Sequence, residues 1–406
     1  MAMTTTGISG DSSSFNVIPL QADICHAYHV MSNHGIPDDQ IVVMMYDDIA
    51  NNKENPYKGN IINQPNGTNV YPGVLKDYTK KEVTPKVFLS VLSGDQEGVE
   101  KLIGRKGKVI NSGPNDHVFV YLLTMVLQLH APALQKTILK MYENKRYGKM
   151  VFYVEACESG SMFAKLLPKN ISVYATTASN PHESSYACYF DKHRNTYLGD
   201  CYSVFWLQDS DKENLQQETL QKQFQVVKNE TKTSHVMEYG NLTIATMTVA
   251  QFQGQQSGKP DAAYNARTAP NPLVDAMPSR QVPLFLKQQK VKNAKSLEER
   301  KAAEKELTSL KTFYQETQKL FMDIVGRDDY FRLRTQRLSI SKWECYENAV
   351  TQLETSCPGM RLSQNDIALE HLYLLVNTCE TSYSDKKLTS AIKTLSENRP
   401  FCQESN

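Results

Sequence analysis

The chain has 406 residues, enough for two or three domains with sizeable cores, and 45 lysines and arginines offset 44 aspartates and glutamates to leave a net charge of +1. That balance supplies no basic excess for nucleic acid or an anionic membrane, and no apolar run is long enough to span a bilayer. No histidine or cysteine cluster has metal-ligand spacing and no glycine loop would cradle phosphate, so no metal and no other cofactor is expected.

Met1–Asn16 is polar and rich in Ser, Thr and Gly, with neither the cationic start nor the apolar stretch of a signal peptide. Ile24, Ala27, Tyr28 and Met31 then recur at helical spacing. Ile41–Tyr46, Val118–Leu123, Met150–Glu155 and Ser172–Ala175 are short, apolar and rich in β-formers, the pattern of buried parallel strands. Between them Thr84-Pro85 opens a helix, Thr as N-cap and Pro at the first helical position, and Leu134–Tyr142 reads as another. Strands alternating with helices imply a mostly parallel sheet covered on both faces. From Gln253 to Pro283 apolar periodicity vanishes and Gln, Ser, Gly, Pro and Ala dominate, which reads as a flexible linker. Leu297 to the end reads as helical, with Leu307, Leu310, Phe313, Leu320, Phe321 and Ile324 along one apolar face and a further helix at Glu370–Val376.

Two features point to an oxidising compartment. Asn66, Asn170, Asn229 and Asn241 begin N-x-Ser/Thr sequons, N-glycosylation acceptors. Of eight cysteines, Cys345, Cys357, Cys379 and Cys402 fall in the last segment, an even set that reads either as two disulfides or as four reduced buried thiols. With these features present, a secretory signal is expected outside the sequence given.

The strand Lys149–Glu155 runs through Ala156 into Cys157 and at once into Glu158-Ser159-Gly160-Ser161. The exit of a parallel strand is where an α/β protein places its chemistry, and a thiol among small residues is a candidate nucleophile. For the strand alone a buried core cysteine is the commoner outcome. The surroundings reverse that preference. Met44–Ala50, Ser112–Tyr121, Val173–Ser179, Glu183–Tyr186 and Tyr197–Ser203, taken in order with the Cys157 run, closely resemble the legumains, the asparaginyl endopeptidases of the caspase-like cysteine peptidase clan. The resemblance runs from about Gln21 to near the C-terminus.

The resemblance implies an α/β, caspase-like peptidase domain over 21–252 whose mostly parallel sheet is flanked by helices. An atypical N-terminus (1–20) precedes it. A linker or activation segment (253–290) and an all-α, death-domain-like prodomain (291–406) follow it. In such zymogens the C-terminal domain covers the active site until acid-triggered processing, and Asn293 is the candidate cleavage position. The resemblance also implies Cys345–Cys379 and Cys357–Cys402 pairing, a lysosomal, endosomal or secreted location, protein and peptide substrates, and cystatin-type inhibitors as partners. Cys157 takes the nucleophile position. Glu155, Ser185 and Asp200 take those of a pocket for the side-chain amide of asparagine, with weaker use of aspartate. On its own each of the three would more commonly be an ordinary solvated group.

The chain departs from the family at two places. Legumains carry Asn-Tyr-Arg-His directly before Gln-Ala-Asp. This chain has Ile18-Pro19-Leu20 before Gln21-Ala22-Asp23, so the pocket Arg and the Asn that orients the catalytic His are missing. The family's first core strand is replaced by unrelated sequence, which predicts an unpaired edge in the central sheet. The catalytic His should follow the strand at Val118–Tyr121 in a Ser/Thr-Asp-His-Gly sequence, but Leu122–Gln128 holds neither His nor Gly. The nearest histidines, His117 and His130, match ones the family carries besides the catalytic one. Leu122–Gln128 can be encoded as CTT CTG ACC ATG GTG CTC CAG, which from its third base reads Ser-Asp-His-Gly-Ala-Pro. A local frame change would thus account for the loss. Two readings follow: a zymogen of a cysteine endopeptidase cutting after Asn, or an inactive legumain-like scaffold.

Overall fold

The computed structural model describes residues 4–7, 18–123, 129–255, 270–338, 340–360, 362, 365–381 and 385–403. The chain divides into two compact units, Met1–Pro283 and Leu284–Asn406.

In the first unit the elements are β1 (Thr4–Gly7), α1 (Ile18–Asn33), β2 (Val42–Met45), α2 (Pro85–Ser93), α3 (Gln96–Ile103), β3 (His117–Leu123), α4 (Ala131–Glu143), β4 (Lys149–Glu155), β5 (Val173–Thr177), β6 (Tyr186–Asp191), β7 (Thr196–Asp200), α5 (Cys201–Lys212), α6 (Leu220–Glu230), β8 (Met237–Gly240), α7 (Ala250–Gln253) and β9 (Met277–Pro278). β3, β4 and β5 run parallel, with His117 opposite Lys149, Leu123 opposite Glu155 and Val154 opposite Thr177; β8 closes the order antiparallel to β5. Successive side chains leave opposite faces. Phe119, Tyr121, Leu123, Val151, Tyr153 and Tyr174 therefore enter one core with α1 and α5. Val118, Val120, Leu122, Met150, Phe152, Val154 and Val173 enter the other with α2 and α4. Burial on both faces is why these strands are nearly unbroken apolar runs.

Local signals fix the helices. Thr84 accepts a hydrogen bond from the Val87 amide at 3.3 Å, Pro85 occupies the first turn, and Gly94 ends α2 in the left-handed region at φ 74°. The structure departs from the sequence reading in three places. The edge expected to stand unpaired is paired: Thr4–Gly7 forms a parallel ladder with Val42–Met45. Ladder bonds come from the backbone, so a short run of β-branched threonines serves without family-like side chains. Part of the expected linker is regular structure: Met277–Pro278 pairs with Tyr186–Ala187, and Val282–Lys292 is helical. The β6–β7 hairpin, joined to β9 in its own sheet, was not foreseen.

The second unit is helical. α8 (Val282–Lys292) begins at the boundary, and α9 (Leu297–Val325), α10 (Arg327–Thr335), α11 (Trp343–Ser356), α12 (Asp366–Thr381), α13 (Asp385–Glu397) and α14 (Pro400–Gln403) follow. Ser296 caps α9 by accepting from the Glu299 amide at 3.1 Å. Leu320, Phe321, Ile324, Leu353, Leu375, Leu388 and Ile392 build its core. Disulfides join Cys345 of α11 to Cys379 of α12 and Cys357 to Cys402 of α14, the same two pairs that the resemblance implies.

Candidate active site

Glu155 is the last residue of β4, and Cys157 stands two residues on, at the sheet's carboxyl edge. The turn that presents the thiol is tightly held. Glu158 adopts the left-handed region at φ 50°, and its amide donates to the Glu183 carbonyl at 2.8 Å. The Gly160 amide donates to the Ser179 carbonyl at 3.0 Å, and the Ser159 and Ser179 hydroxyls lie 3.1 Å apart. A Cβ on Gly160 would come within 2.5 Å of the Tyr239 hydroxyl and 2.9 Å of Pro181, so only glycine fits.

Cys157 Sγ lies 3.1 Å from Ser184 Oγ and 3.8 Å from Ser185 Oγ, and the Ser185 backbone also hydrogen-bonds to it. The residue keeps some surface, yet the protein packed around its sulfur pushes the thiol above its usual range. Arg280 opposes that shift and Glu158 adds to it. His117 opens β3 opposite Lys149, at the other end of the strands from Cys157. Over six residues at about 3.3 Å each the separation is on the order of 20 Å. His130 is the residue before α4. Neither donates to or accepts from the sulfur. Residues 124–128, where the resemblance would put the base, lie outside those described.

Glu155, Ser185 and Asp200 are buried, at 1%, 3% and 4% exposure. Glu155 Oε2 accepts from the Ser203 amide at 3.1 Å and from its hydroxyl at 2.9 Å. Asp200 precedes α5, and its amide donates to Asp23 Oδ2 at 3.1 Å, while Asn63 Nδ2 donates to Asp23 Oδ1 at 2.6 Å. Burial pushes all three carboxyls well above the usual carboxylate range. The Asp200 charge raises Glu155 further, and Asp23 does the same to Asp200. Sequence reasoning missed Asp23 as a member of this group. It also missed the disulfide between Cys188 of β6 and Cys201, which opens α5 beside Asp200. The signal was the even cysteine count: once the last four are paired, Cys25, Cys157, Cys188 and Cys201 remain.

The segment after β9 also reaches the thiol. The Ser279 amide donates to the Ser185 carbonyl at 2.9 Å, Ser279 Oγ lies 3.3 Å from Ser185 Oγ, and Arg280 forms an ion pair with Glu158. Asn66, Asn170 and Asn229 are exposed, whereas Asn241 is half-buried and accepts from the Thr243 amide and hydroxyl. Asn293 is exposed just past α8. No metal-binding group is found among the described residues, and none of their helices is long and apolar enough to cross a membrane.

Residues 5–255 match the model of the peptidase C13 family. The chain is 49% identical over 377 residues to human legumain, spanning 89% of this chain and 86% of that protein. It is 36% identical over 397 residues to the hemoglobinase of Schistosoma japonicum, covering 94% and 90%. It is 35% identical over 407 residues to the vacuolar-processing enzyme delta-isozyme of Arabidopsis thaliana, covering 92% and 86%. With more than half its length matched by the family model and with relatives this similar across both units, the chain belongs to the peptidase C13 family of cysteine endopeptidases.

Proposed function

We propose that the α/β unit is the peptide-cleaving unit of a legumain-type zymogen, with Cys157 as nucleophile and Glu155, Ser185 and Asp200 as the pocket for the residue before the cut. The observation that carries this reading is the placement of the thiol one turn beyond a buried carboxyl, at the carboxyl edge of a parallel sheet. Carboxylates and a hydroxyl accept N–H donors. The family's asparagine offers such a donor, and aspartate is the weaker choice. Latency in the zymogen is supported by the Ser279–Arg280 segment, which is tied by a backbone bond to Ser185 and by an ion pair to Glu158, the residue after Cys157. Names of relatives containing legumain and vacuolar-processing enzyme support a lysosomal or vacuolar place of action on protein substrates. Cystatin-type inhibition and processing after Asn293 belong to the same reading, as does the division into a peptidase domain (21–252), an activation segment (253–290) and a prodomain (291–406).

A second reading has a specific observation behind it. A cysteine peptidase needs a base beside the thiol to make the nucleophile and to protonate the leaving amine. Here the sulfur has the hydroxyls of Ser184 and Ser185 and the Ser185 backbone as partners among the described residues, and its surroundings favour the neutral thiol. The chain with this sequence is then a peptide-binding scaffold with an unpowered nucleophile. Both readings are tested by one set of proteins. The chain and its Cys157→Ser variant are incubated at pH 5.5 with a peptide carrying a fluorogenic group after Asn. The variant Thr124→Asp/Met125→His/Val126→Gly, which supplies the Asp-His-Gly part of the family's motif, is treated alike. Wild type should match Cys157→Ser, and the triple variant should gain turnover that Cys157→Ser abolishes. Cys157-dependent turnover by wild type would show a base elsewhere. A silent triple variant would contradict the peptidase reading.

A further inference from the structure

Glu183 stands one residue before the serine whose hydroxyl meets the thiol. Its carboxylate Oε1 accepts the Asn180 amide at 3.0 Å and the His235 amide at 2.8 Å, and Oε2 lies 2.8 Å from His235 Nδ1. Its carbonyl accepts the Glu158 amide at 2.8 Å. Asn180 is three residues back in the same loop, His235 belongs to the segment that leads into β8, and Glu158 follows Cys157. One residue therefore joins three parts of the chain. A surface ion pair contributes little by itself, and the His235 ring is 76% exposed. The two amides set this carboxyl apart from such a pair. Burial pushes it up, but the Asn180 amide, the His235 ring and the His235 amide outweigh burial and hold it below the usual carboxylate range.

The sulfur's partners have different anchors. The Ser185 backbone reaches it, and Ser185 is itself fixed by Ser279, whose amide donates to the Ser185 carbonyl at 2.9 Å. The Ser184 hydroxyl has one proton and two acceptors, the Ser185 carbonyl at 2.9 Å and the sulfur at 3.1 Å. An ionised sulfur is the stronger acceptor of the two, so the hydroxyl turns to it when the thiol loses its proton. That contact requires Ser184 to keep its distance from the sulfur, and Ser184 is bonded directly to the residue that the carboxylate clamp holds.

We propose that Glu183 is a positioning residue for Cys157: its carboxylate ties the 180–185 loop to the segment before β8, and so keeps the Ser184 hydroxyl at the sulfur and the Glu183 carbonyl at the Glu158 amide. The residue touches neither the sulfur nor a substrate and acts through Ser184. The inference deepens the reading of Cys157 as nucleophile and rests on it for its consequence, the aim of the attacking sulfur.

The test is a double-mutant cycle on the full chain, read as the rate of Cys157 alkylation by iodoacetamide at pH 8 and followed on the Cys157 peptide by mass spectrometry. Ser184→Ala should slow the reaction about tenfold, the equivalent of one unit in the acidity of the thiol. Glu183→Ala should slow it in the wild type by most of that factor and should change nothing in Ser184→Ala, because the second residue acts only through the first. Glu183→Gln keeps an oxygen for both amides and should restore most of the wild-type rate. If Glu183→Ala does not fold, His235→Ala takes its place: it removes the ring alone, should slow the wild type by a smaller factor, and should again leave Ser184→Ala unchanged. Equal effects in both backgrounds, of either sign, would mean a loop loosened as a whole and would overturn the inference. An unchanged rate on removing the clamp, or a Glu183→Gln as slow as Glu183→Ala, would overturn it too. These rates report the sulfur and not peptide turnover, so a silent Thr124→Asp/Met125→His/Val126→Gly variant would remove the peptidase reading and leave the clamp standing.

Discussion

The α/β unit encloses large aromatic rings and several carboxyls. Trp206 packs edge-on to Tyr121 at 4.8 Å and to Tyr153 at 5.5 Å, and Asp23, Glu155, Asp200, Asp209 and Glu218 all lie buried with it. The helical unit has a smaller core of leucines and isoleucines and is stapled by two disulfides. Its shifted carboxyls are also of another kind. Burial pushes Glu306 up, but hydrogen bonds from Lys287 and Lys290 outweigh it and hold the group below the usual range. Glu380 shows the same balance, with the Lys342 and Ser341 amides as donors. The five buried carboxyls of the α/β unit stand above the usual range, with burial the main cause in each. One residue type thus shows opposite pH responses according to whether desolvation or its hydrogen-bonding and charged partners outweigh the other. A raised carboxyl gives stability that is complete below its unfolded value and is lost as pH rises through the folded one. A lowered carboxyl gives stability that is present above the unfolded value and is lost as pH falls. Acid therefore favours the buried carboxyls of the α/β unit and weakens the lowered ones of either unit, Glu82 and Glu183 of the first as well as Glu306 and Glu380 of the second.

The largest effects should separate the units by their staples. Cys345→Ser/Cys379→Ser opens a loop of 34 residues and should cost the helical unit about 4 kcal/mol, while Cys188→Ser/Cys201→Ser opens one of 13 and should cost the α/β unit about 3 kcal/mol. Hydrogen exchange in a urea series, read peptide by peptide on the full chain, assigns each loss to its unit. Losses appearing in the other unit would break the division. Next in size is the pH response. Burial and the Asp209 charge push Glu218 up to about 7 from an ordinary 4.5, against the pull of Lys222. Glu218→Gln should then stabilise the α/β unit by on the order of 2 kcal/mol at pH 8 and change it little at pH 4. Equal effects at both pH values would refute the sign. In the wild type, protection in the α/β unit should rise between pH 7.5 and pH 5, while protection in the helical unit should hold over that range and fall only below the ordinary 4.5 of Glu306 and Glu380. The smallest effect is at a cap: Ser296→Ala should cost α9 about 1 kcal/mol, visible as faster exchange in its first turn.

What was legible in the sequence follows what periodicity can encode. β3 and β4 are buried on both faces, so apolar runs of six and five residues announced them, and Thr84-Pro85 named the start of α2. The β6–β7 hairpin was not legible. Tyr186–Asp191 and Thr196–Asp200 mix tyrosine, cysteine, glycine and aspartate, and their turn Lys192–Asn195 lacks glycine. β9 is invisible for a different reason: Met277-Pro278 joins β6 at an edge through backbone groups, which composition does not report. In the site, Cys157 and Glu155 were found because they share a strand end. Asp23 was not, because it reaches Asp200 from α1, 177 residues earlier in the chain. The resemblance supplied the residues that local pattern could not.

Cys157 is the proposed nucleophile, and among the described residues no histidine hydrogen-bonds to its sulfur. The measurement that tests it most directly is the rate of Cys157 alkylation by iodoacetamide from pH 4 to pH 10, followed on the Cys157 peptide so that buried Cys25 does not contribute. A thiol pushed up by its surroundings and partnered by serine hydroxyls should react in one alkaline step, tenfold faster per pH unit up to at least pH 9, with no plateau in acid. A plateau of high reactivity between pH 4 and pH 7 would be the mark of a thiolate–imidazolium pair, and it would contradict the account.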